Sequence, residues 1–309
     1  MIEPAFELAH DFSDGFAMVG HPDPEGRKDR FFKDRVQELW GYIDTAGNPI
    51  TPVQFEYARP FSEGLAGVYV GKKFGYINTR GEYAVEPQYD AGFEFSEGLA
   101  TVHLGKTRRV IDAQGQTVFE IAASHLGSCQ EGLMFCESQR KWSYVDRAGN
   151  AVFSLTCSAA GNFSEGLADV LVKGKTGYIS KCGEFVIPAQ FAQATSFSGG
   201  LARVEFIPKG KRDWSKPQEF GYIDKQGNPA FAERFQYGEA FSDGLAAVNS
   251  TAQKSTSYID HSGQIVIADI ACEYAGPFTN GLACIGTKPG GEDIGYINRR
   301  GEYVWQPQC

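Results

Sequence analysis

Short segments in which apolar and variable residues alternate recur along the whole chain. In each of them Ala and Val, or residues of similar character, stand two positions apart, as at Ala66 and Val68. Side chains two residues apart lie on the same face of a β-strand, so each segment is predicted to be a strand with one packed face. The residue between them varies, for example Gly67, Asp169 and Arg203. This variation predicts that the opposite face is more exposed.

A second segment, Gly-Tyr-Ile-Asp or a close variant, follows each first one. Its aliphatic residue is Ile or Val in every copy, beginning with Ile43, and seven of the eight copies place Tyr beside it. Large apolar groups at adjacent positions predict a strand that is covered on both faces. A third strand is predicted by apolar residues that stand three positions after a glycine: Ile50, Val118, Val152, Val186, Val266 and Val304.

Every copy contains two turns that include a glycine. Phe-Ser-Glu-Gly precedes the first strand, and Asp-x-x-Gly follows the second, where the Asp carboxylate is expected to accept backbone N–H bonds and Gly to supply a positive φ. The first turn recurs eight times with a basic period of 34 residues: Gly15, Gly64, Gly98, Gly132, Gly166, Gly200, Gly244 and Gly281. The longer spacings predict hairpin insertions near residues 20–39 and 205–219.

Eight tandem antiparallel meanders of three strands are therefore predicted, joined by links such as residues 87–91, in which Pro87 keeps out of the paired ladder. One meander is too small to be stable alone, so residues 1–309 are expected to form a single array. The all-β array either closes into a propeller-like ring or stacks as an open β-hairpin solenoid. The ring is favoured, because both chain ends fall within the link and the terminal copies fit the pattern well.

The repeated residues resemble the WG-repeat family, also described as KWG repeats. Its consensus runs Phe-Ser-Glu-Gly-Leu-Ala-x-Val, then Lys-Trp-Gly-Tyr-Ile-Asp, then Gly and an apolar pair before a Pro-x-Tyr link. The resemblance covers nearly the whole chain, although the Trp-Gly pair itself stands only at Trp40 and Gly41. It implies a repetitive β structure and an interaction role, and it implies no particular enzymatic activity.

Composition and charge narrow the function classes. The net charge of −9 disfavours general attraction to nucleic acid or to an anionic membrane. No apolar stretch approaches a membrane span, and the N-terminus resembles no export signal. The seven cysteines lack a Cys-x-x-Cys pair, so we expect a reducing, cytoplasmic environment in which Cys129 and Cys136 are buried as small apolar residues.

Residues typical of catalysis form no distinctive constellation. The five histidines have no metal-ligand spacing, and the glycines are all accounted for by turns, so neither a metal nor another cofactor is predicted. The acids of Ser-Glu-Gly and Asp-x-x-Gly fit turn capping better than a calcium rim. A pair of catalytic carboxylates needs two unlike environments, and repeated acids offer no such contrast. The chain is therefore predicted not to be an enzyme.

The connection between the first two strands carries 20 of the 29 basic residues, and both insertions lengthen it. Antiparallel strands place these connections at one end of every repeat and the acidic turns at the other, which segregates the charge. Basic and aromatic residues together are common at binding surfaces. The residues predicted to bind a partner are Arg27, Lys28, Arg30, Phe31, Phe32, Lys33, Lys209, Lys211, Arg212, Trp214 and Lys216.

The sequence thus predicts a binding scaffold whose basic rim, with its aromatic residues, engages an acidic protein partner. A glycan or cell-wall polymer module is the first alternative, and a propeller-type hydrolase the second. Nucleic-acid binding is the weakest reading, because the chain is acidic overall. The oligomeric state stays open.

Overall fold

The computed structural model describes residues 6, 8–28, 34–207, 219–249, 255–286 and 294–306. These residues contain β-strands and turns and no α-helix, and no segment among them is a helix long and apolar enough to cross a membrane. The chain divides into two compact units, Met1–Val152 and Phe153–Cys309. The predicted all-β class is confirmed.

Unit 1 contains four antiparallel sheets of four strands, the last of which ends just beyond its boundary. The first two sheets comprise β1 (Leu8–Ala9), β2 (Phe16–Pro22), β3 (Glu38–Asp44), β4 (Pro49–Phe55), β5 (Tyr57–Ala58), β6 (Leu65–Val70), β7 (Lys73–Asn78) and β8 (Tyr83–Tyr89). The next two comprise β9 (Ala91–Gly92), β10 (Leu99–Leu104), β11 (Thr107–Asp112), β12 (Thr117–Ile121), β13 (His125–Leu126), β14 (Leu133–Ser138), β15 (Lys141–Asp146) and β16 (Ala151–Leu155).

Unit 2 contains one sheet of six strands and two sheets of four. The six-stranded sheet comprises β17 (Ala159–Ala160), β18 (Ala168–Val172), β19 (Lys175–Ile179), β20 (Phe185–Ala194), β21 (Ala202–Phe206) and β22 (Phe220–Ile223). The others comprise β23 (Tyr237–Gly238), β24 (Ala246–Asn249), β25 (Thr256–Ile259), β26 (Ile265–Ile270), β27 (Tyr274–Thr279), β28 (Leu282–Gly286), β29 (Ile294–Asn298) and β30 (Tyr303–Trp305).

The fold is of the β-propeller type, with each four-stranded sheet forming a blade. The described strands form seven sheets rather than eight, because the long strand β20 runs from one copy of the repeat into the next and joins two copies in one sheet. The prediction of three strands per repeat was wrong by one. A two-residue piece of the link, such as Ala91–Gly92, pairs with the first main strand and adds the fourth.

In four repeats the first main strand is buried on both faces, so the expectation of a more exposed face is wrong for them. In the other four the variable residue is partly exposed: Phe135, Asp169, Arg203 and Cys284. In β6, Ala66 and Val68 have no exposed surface, and Gly67 between them is also buried. In β10 the intervening Thr101 is 3% exposed. Strands near the inner edge of a blade have neighbouring blades against both faces. Where the variable residue is buried, it therefore faces a neighbouring repeat rather than water.

The Tyr of the second main strand joins consecutive repeats. Tyr76 is fully buried, and its hydroxyl donates a hydrogen bond of 2.6 Å to the carbonyl of Phe93, in the next link. Equivalent bonds run from Tyr42, Tyr178, Tyr222 and Tyr258. Burial raises the pKa of each of these hydroxyls. They are consequently fixed donors at neutral pH, as buried polar groups require.

The glycine before three of these tyrosines, Tyr42, Tyr76 and Tyr178, accommodates a bulge at a proline in the third main strand. In β8 the ladder shifts register between Val85 and Tyr89, and Pro87 falls in the shifted segment without a ladder partner, as predicted. A Cβ on Gly75 would lie 2.6 Å from the carbonyl oxygen of Val85 and 2.7 Å from the nitrogen of Pro87. Gly41 and Gly177 face Pro52 and the segment around Ala189 in the same way. Only glycine permits this approach of two backbones.

The third main strand is the outer edge of its blade. Its apolar residues Val118, Val152, Val186, Val266 and Val304 are 43–61% exposed. The buried clusters lie nearer the inner strands and include Cys129 and Cys136, each 1% exposed, as predicted. Burial raises the pKa of the Cys129 thiol to about 11.

Candidate functional site

The Ser-Glu-Gly turns form a chain of contacts from repeat to repeat. The Ser62 hydroxyl donates to the carbonyl of Phe95, and the Glu63 carboxylate accepts from the N–H groups of Glu97 and Gly98 in the next turn. Serines in the same role are Ser13, Ser96, Ser164, Ser198 and Ser242. Acids in the same role are Asp14, Glu97, Glu165 and Asp243. We call this chain the turn ladder.

The repeated acids are thus accounted for by turn capping. The first-turn acid caps the turn of the following repeat rather than its own, and it adopts a positive φ itself, 55° at Glu63. In the Asp-x-x-Gly turn, Asp44 accepts from the N–H groups of Ala46 and Asn48, and Gly47 has a φ of 88°. No group of three or more His, Cys, Asp or Glu side chains suited to a metal occurs among the described residues. The acids at this end of the repeats, which we call the turn end, therefore stabilise the fold.

One acid stands apart from the rest. The Asp169 side chain is half-buried, and burial raises its pKa, whereas the pKa values of the capping carboxylates of Asp44 and Glu97 are lowered. Its Oδ1 lies 3.4 Å from the Ser196 hydroxyl, and a Cβ on Gly161 would lie 2.4 Å from it. Asp169 occupies the variable position of the first main strand. Sequence comparison of repeats did not distinguish it from the other acids.

Most residues predicted to bind a partner lie outside the described residues: Arg30, Phe31, Phe32, Lys33, Lys209, Lys211, Arg212, Trp214 and Lys216. Arg27 and Lys28 are described, and both are exposed. The Arg27 guanidinium pairs with the buried Asp23 carboxylate, and this hydrogen bond lowers the pKa of Asp23. Lys28 pairs across the hairpin with Val36. Of the predicted partner site, the structure therefore describes the base of the first insertion.

The hairpin ends of repeats 2 and 3, the copies with Gly64 and Gly98, meet in a filled junction. Phe74 and Tyr89 are each 2% exposed and pack in one cluster with Leu104. Above them, the Asp90 carboxylate accepts a hydrogen bond of 2.8 Å from the Lys73 ammonium and one of 2.7 Å from the Gly105 N–H. The bond from Lys73 holds the pKa of Asp90 below its usual value. An internal carboxylate thus joins the two hairpins.

The next junction, between repeats 3 and 4, is open. Displacement by 34 residues replaces Phe74, Tyr89, Asp90 and Leu104 by Arg108, Ala123, Ser124 and Ser138. A groove of about 520 Å³ lies here, lined by these four residues together with Lys106 and Gln139. We call it the basic groove. Its floor is the buried cluster that contains Ala123 and Cys136.

Two cationic side chains border the basic groove. Arg108 is half-buried and donates a hydrogen bond of 3.1 Å to the carbonyl of Ser124. Lys106 is exposed and forms no ion pair in the described part of the chain. The nearby Glu137 carboxylate is turned into its own hairpin. It accepts from the Ser124 hydroxyl, which lowers its pKa most, and from the Arg140 N–H at 2.8 Å. Arg109, the next residue, pairs with Glu120.

The sequence contained a signal for this groove that was missed. The position of Tyr89 is occupied in the eight copies by Phe6, Phe55, Tyr89, Ala123, Cys157, Phe191, Phe235 and Cys272. Ala123 is the smallest of them. A repeat that loses a large side chain between two packed neighbours leaves space at the junction, unless the backbone collapses.

A family model described as WG containing repeat matches residues 1–20, 40–74, 74–106, 142–175, 177–206, 220–250 and 257–286. The chain belongs to the WG repeat family. The matched segments of this WG repeat protein leave out residues 107–141, which include most of the basic groove. They also leave out the two insertions.

Solved structures resemble the WG repeat protein at low sequence identity. A crystal structure described as the eukaryotic initiation factor is 11% identical, with 99% of this chain and 90% of that chain covered and a TM-score of 0.65. BamB from Moraxella catarrhalis is 11% identical over 99% and 92%, with a TM-score of 0.48. Hsv2 from Kluyvelomyces marxianus is 9% identical over 80% and 94%, with a TM-score of 0.49. No curated protein sequence matches the chain. The first of these similarities supports the propeller fold alone.

Proposed function

We propose that this protein is a non-enzymatic scaffold that binds an acidic protein partner through the hairpin end of its repeats. The observation that carries the proposal is the basic groove. Two aromatic side chains and a carboxylate of the preceding junction are replaced here, and Arg108 and Lys106 lie at an open surface. Departures from a repeat that do not serve folding are expected where a repeat protein binds its partner.

The contrast between the two ends supports this location. At the turn end, the acids and serines are used in the turn ladder. At the hairpin end, Lys72, Lys106, Lys141 and Lys173 are exposed and take part in no ion pair within the described ranges. Electrostatic attraction toward such a surface raises the rate of association with an acidic partner.

The second insertion gives the test of the scaffold. Charge reversal at Lys209, Lys211 and Arg212, combined with Trp214→Ala, is expected to abolish partner capture and to leave the unfolding temperature nearly unchanged. Capture is measured by affinity purification from the native cell with quantitative mass spectrometry. We expect a cytoplasmic partner, since the described cysteines are free thiols.

A matched control carries the same changes at the turn end: Arg80→Glu, Lys181→Glu, Arg300→Glu and Trp305→Ala. Arg80 and Arg300 lie in exposed pairs with Glu82 and Glu302, and Trp305 is 54% exposed. This control is expected to retain the partners of the unmodified protein. Equal capture by both variants would contradict the proposed use of the hairpin end.

A further inference from the structure

The filled junction between repeats 2 and 3 shows what the basic groove lacks. There, one carboxylate joins a lysine on one hairpin to a backbone N–H at the tip of the next, Lys73 to Gly105 through Asp90. At the open junction, Ser124 stands in the place of Asp90 and Gln139 in the place of Gly105. The N–H of Gln139 has no carboxylate acceptor among the described residues, and Arg108 and Lys106 have none either.

We propose that the basic groove binds the carboxylate side chain of an acidic peptide segment, which takes the place that Asp90 occupies at the preceding junction. This inference rests on the proposed function and names the chemistry of the partner. A carboxylate in the groove would accept from the Arg108 guanidinium, the Lys106 ammonium and the Gln139 N–H, all of them donors. Hydrogen bonds between charged partners are short and strong, which favours a carboxylate over an amide.

The volume of the groove supports a side chain rather than a lone ion. Tyr89 and Leu104 fill the equivalent space at the preceding junction, and their counterparts Ala123 and Ser138 are small. The methylene groups of a glutamate side chain would cover the apolar floor around Ala123, which is 7% exposed. The Ser138 hydroxyl already donates to the carbonyl of Ala122 at 2.7 Å, so the groove wall is fixed.

Glu137 is the acid that opposes this binding most directly. Its side chain is 12% exposed and is held by the Ser124 hydroxyl and the Arg140 N–H, on the hairpin side of the groove. It therefore reduces the positive potential without occupying the place that Asp90 has at the other junction. Repeat 3 carries His103 at the equivalent position, beside Asp90.

The test measures the fluorescence anisotropy of a short glutamate-rich peptide with the full chain. The peptide with glutamine in place of glutamate is the ligand control. We expect the glutamate peptide to bind and the glutamine peptide to bind at least about tenfold more weakly. Arg108→Gln, which removes the charge and keeps a polar side chain, is expected to weaken glutamate-peptide binding by about tenfold.

Two variants that close the groove make the test specific. Ala123→Phe restores the aromatic residue of the other repeats and should abolish binding by filling the space. Ser124→Asp with Glu137→His copies the Asp90 and His103 pair and should abolish binding by supplying an internal carboxylate. The control is Cys272→Phe, which makes the same repair at a distant repeat and should leave peptide affinity unchanged. Thermal unfolding verifies that every variant is folded.

Each outcome decides the proposal. Loss of binding in both closing variants, with binding retained in Cys272→Phe, supports it. Retained binding in both would place the peptide elsewhere and overturn it, as would tighter binding of a phosphopeptide or of single-stranded DNA of equal charge. Should the glutamate peptide fail to bind while charge reversal in the second insertion still abolishes partner capture, the groove inference fails and the scaffold function stands.

Discussion

The turn end and the hairpin end of the repeats differ in how their polar groups are used. At the turn end, Ser96 and Glu97 bond to the backbone of the next repeat, and the same bonds recur in both units. At the hairpin end, equivalent positions hold Asp90 in one junction and Ser124 in the next, with different partners. Folding constrains the first end in most copies, whereas the second end is free to vary and to acquire a ligand.

Breaking a close backbone approach should have the largest effect. Gly75→Ala places a methyl group 2.6 Å from the Val85 carbonyl oxygen, within the proline bulge, where backbone must move. We expect the free energy of unfolding to fall by about 3 kcal/mol, measured by urea denaturation. Gly71→Ala at the hairpin tip is the control. It has a φ of 56° but no atom within 4 Å, so its cost should be about 1 kcal/mol.

The turn ladder should be the next most sensitive feature. Glu97→Ala removes the acceptor of the Glu131 and Gly132 N–H groups and the partner of Arg147. The expected loss of unfolding free energy is about 2 kcal/mol, because two backbone donors lose a charged acceptor. Glu82→Ala, in an exposed pair with Arg80, should leave the free energy of unfolding nearly unchanged. Equal losses from the two variants would show that the ladder adds nothing beyond a surface charge.

The repeated part of the fold was predictable because the same pattern of apolar residues and turns recurs in eight copies. The apolar pairs such as Ala66 and Val68 predicted the first strand, and Asp-x-x-Gly predicted the second turn, which Asp44 caps. The fourth strand was not predictable, since two residues such as Ala91–Gly92 carry no periodicity. The sequence also could not show that Glu63 reaches the following repeat, because a residue list contains no contacts between copies.

The candidate site was less predictable for two physical reasons. Variation at the position of Gly67, Thr101 and Asp169 was interpreted as exposure, although Gly67 and Thr101 are buried against neighbouring repeats and only Asp169 is partly exposed. The basic charge at the hairpin end was predicted for all eight repeats, but the predicted binding residues all lie in the insertions. The small residue Ala123 identifies the open junction in the sequence. That this junction lacks a bridging carboxylate is evident only from the hydrogen bonds of Asp90 to Lys73 and Gly105 in the preceding junction.

Acid should weaken the turn ladder. Burial alone would raise the pKa of Glu97, but bonds from the Gly132 N–H, the Cys129 thiol and the Glu131 N–H outweigh it and lower the value. A carboxyl group with a lowered pKa in the folded state stabilises the protein above its unfolded pKa. This contribution is lost as the pH falls through the folded value.

Thermal unfolding from about pH 6 to pH 3 tests this sign. The unmodified protein should unfold at a lower temperature as the pH decreases, and its advantage over Glu97→Gln should shrink over the same range. An advantage that is independent of pH would mean that the charge of Glu97 does not matter to the ladder.

The smallest effect on stability is expected at the hairpin tips, and it completes the comparison of the two ends. Lys72, Lys141 and Lys173 are exposed, and no described acid lies within ion-pair distance of them. Their simultaneous replacement by Glu reverses three charges without removing a hydrogen bond or a packed side chain, so the free energy of unfolding should change by less than about 0.5 kcal/mol. Urea denaturation measures this change. Association with an acidic partner should nevertheless slow, with a weaker dependence on salt, since long-range attraction acts mainly on the association rate. A loss of stability comparable with that of Glu97→Ala would show that both ends of the repeat are constrained by folding, and the hairpin end would then have no surplus charge available for a partner.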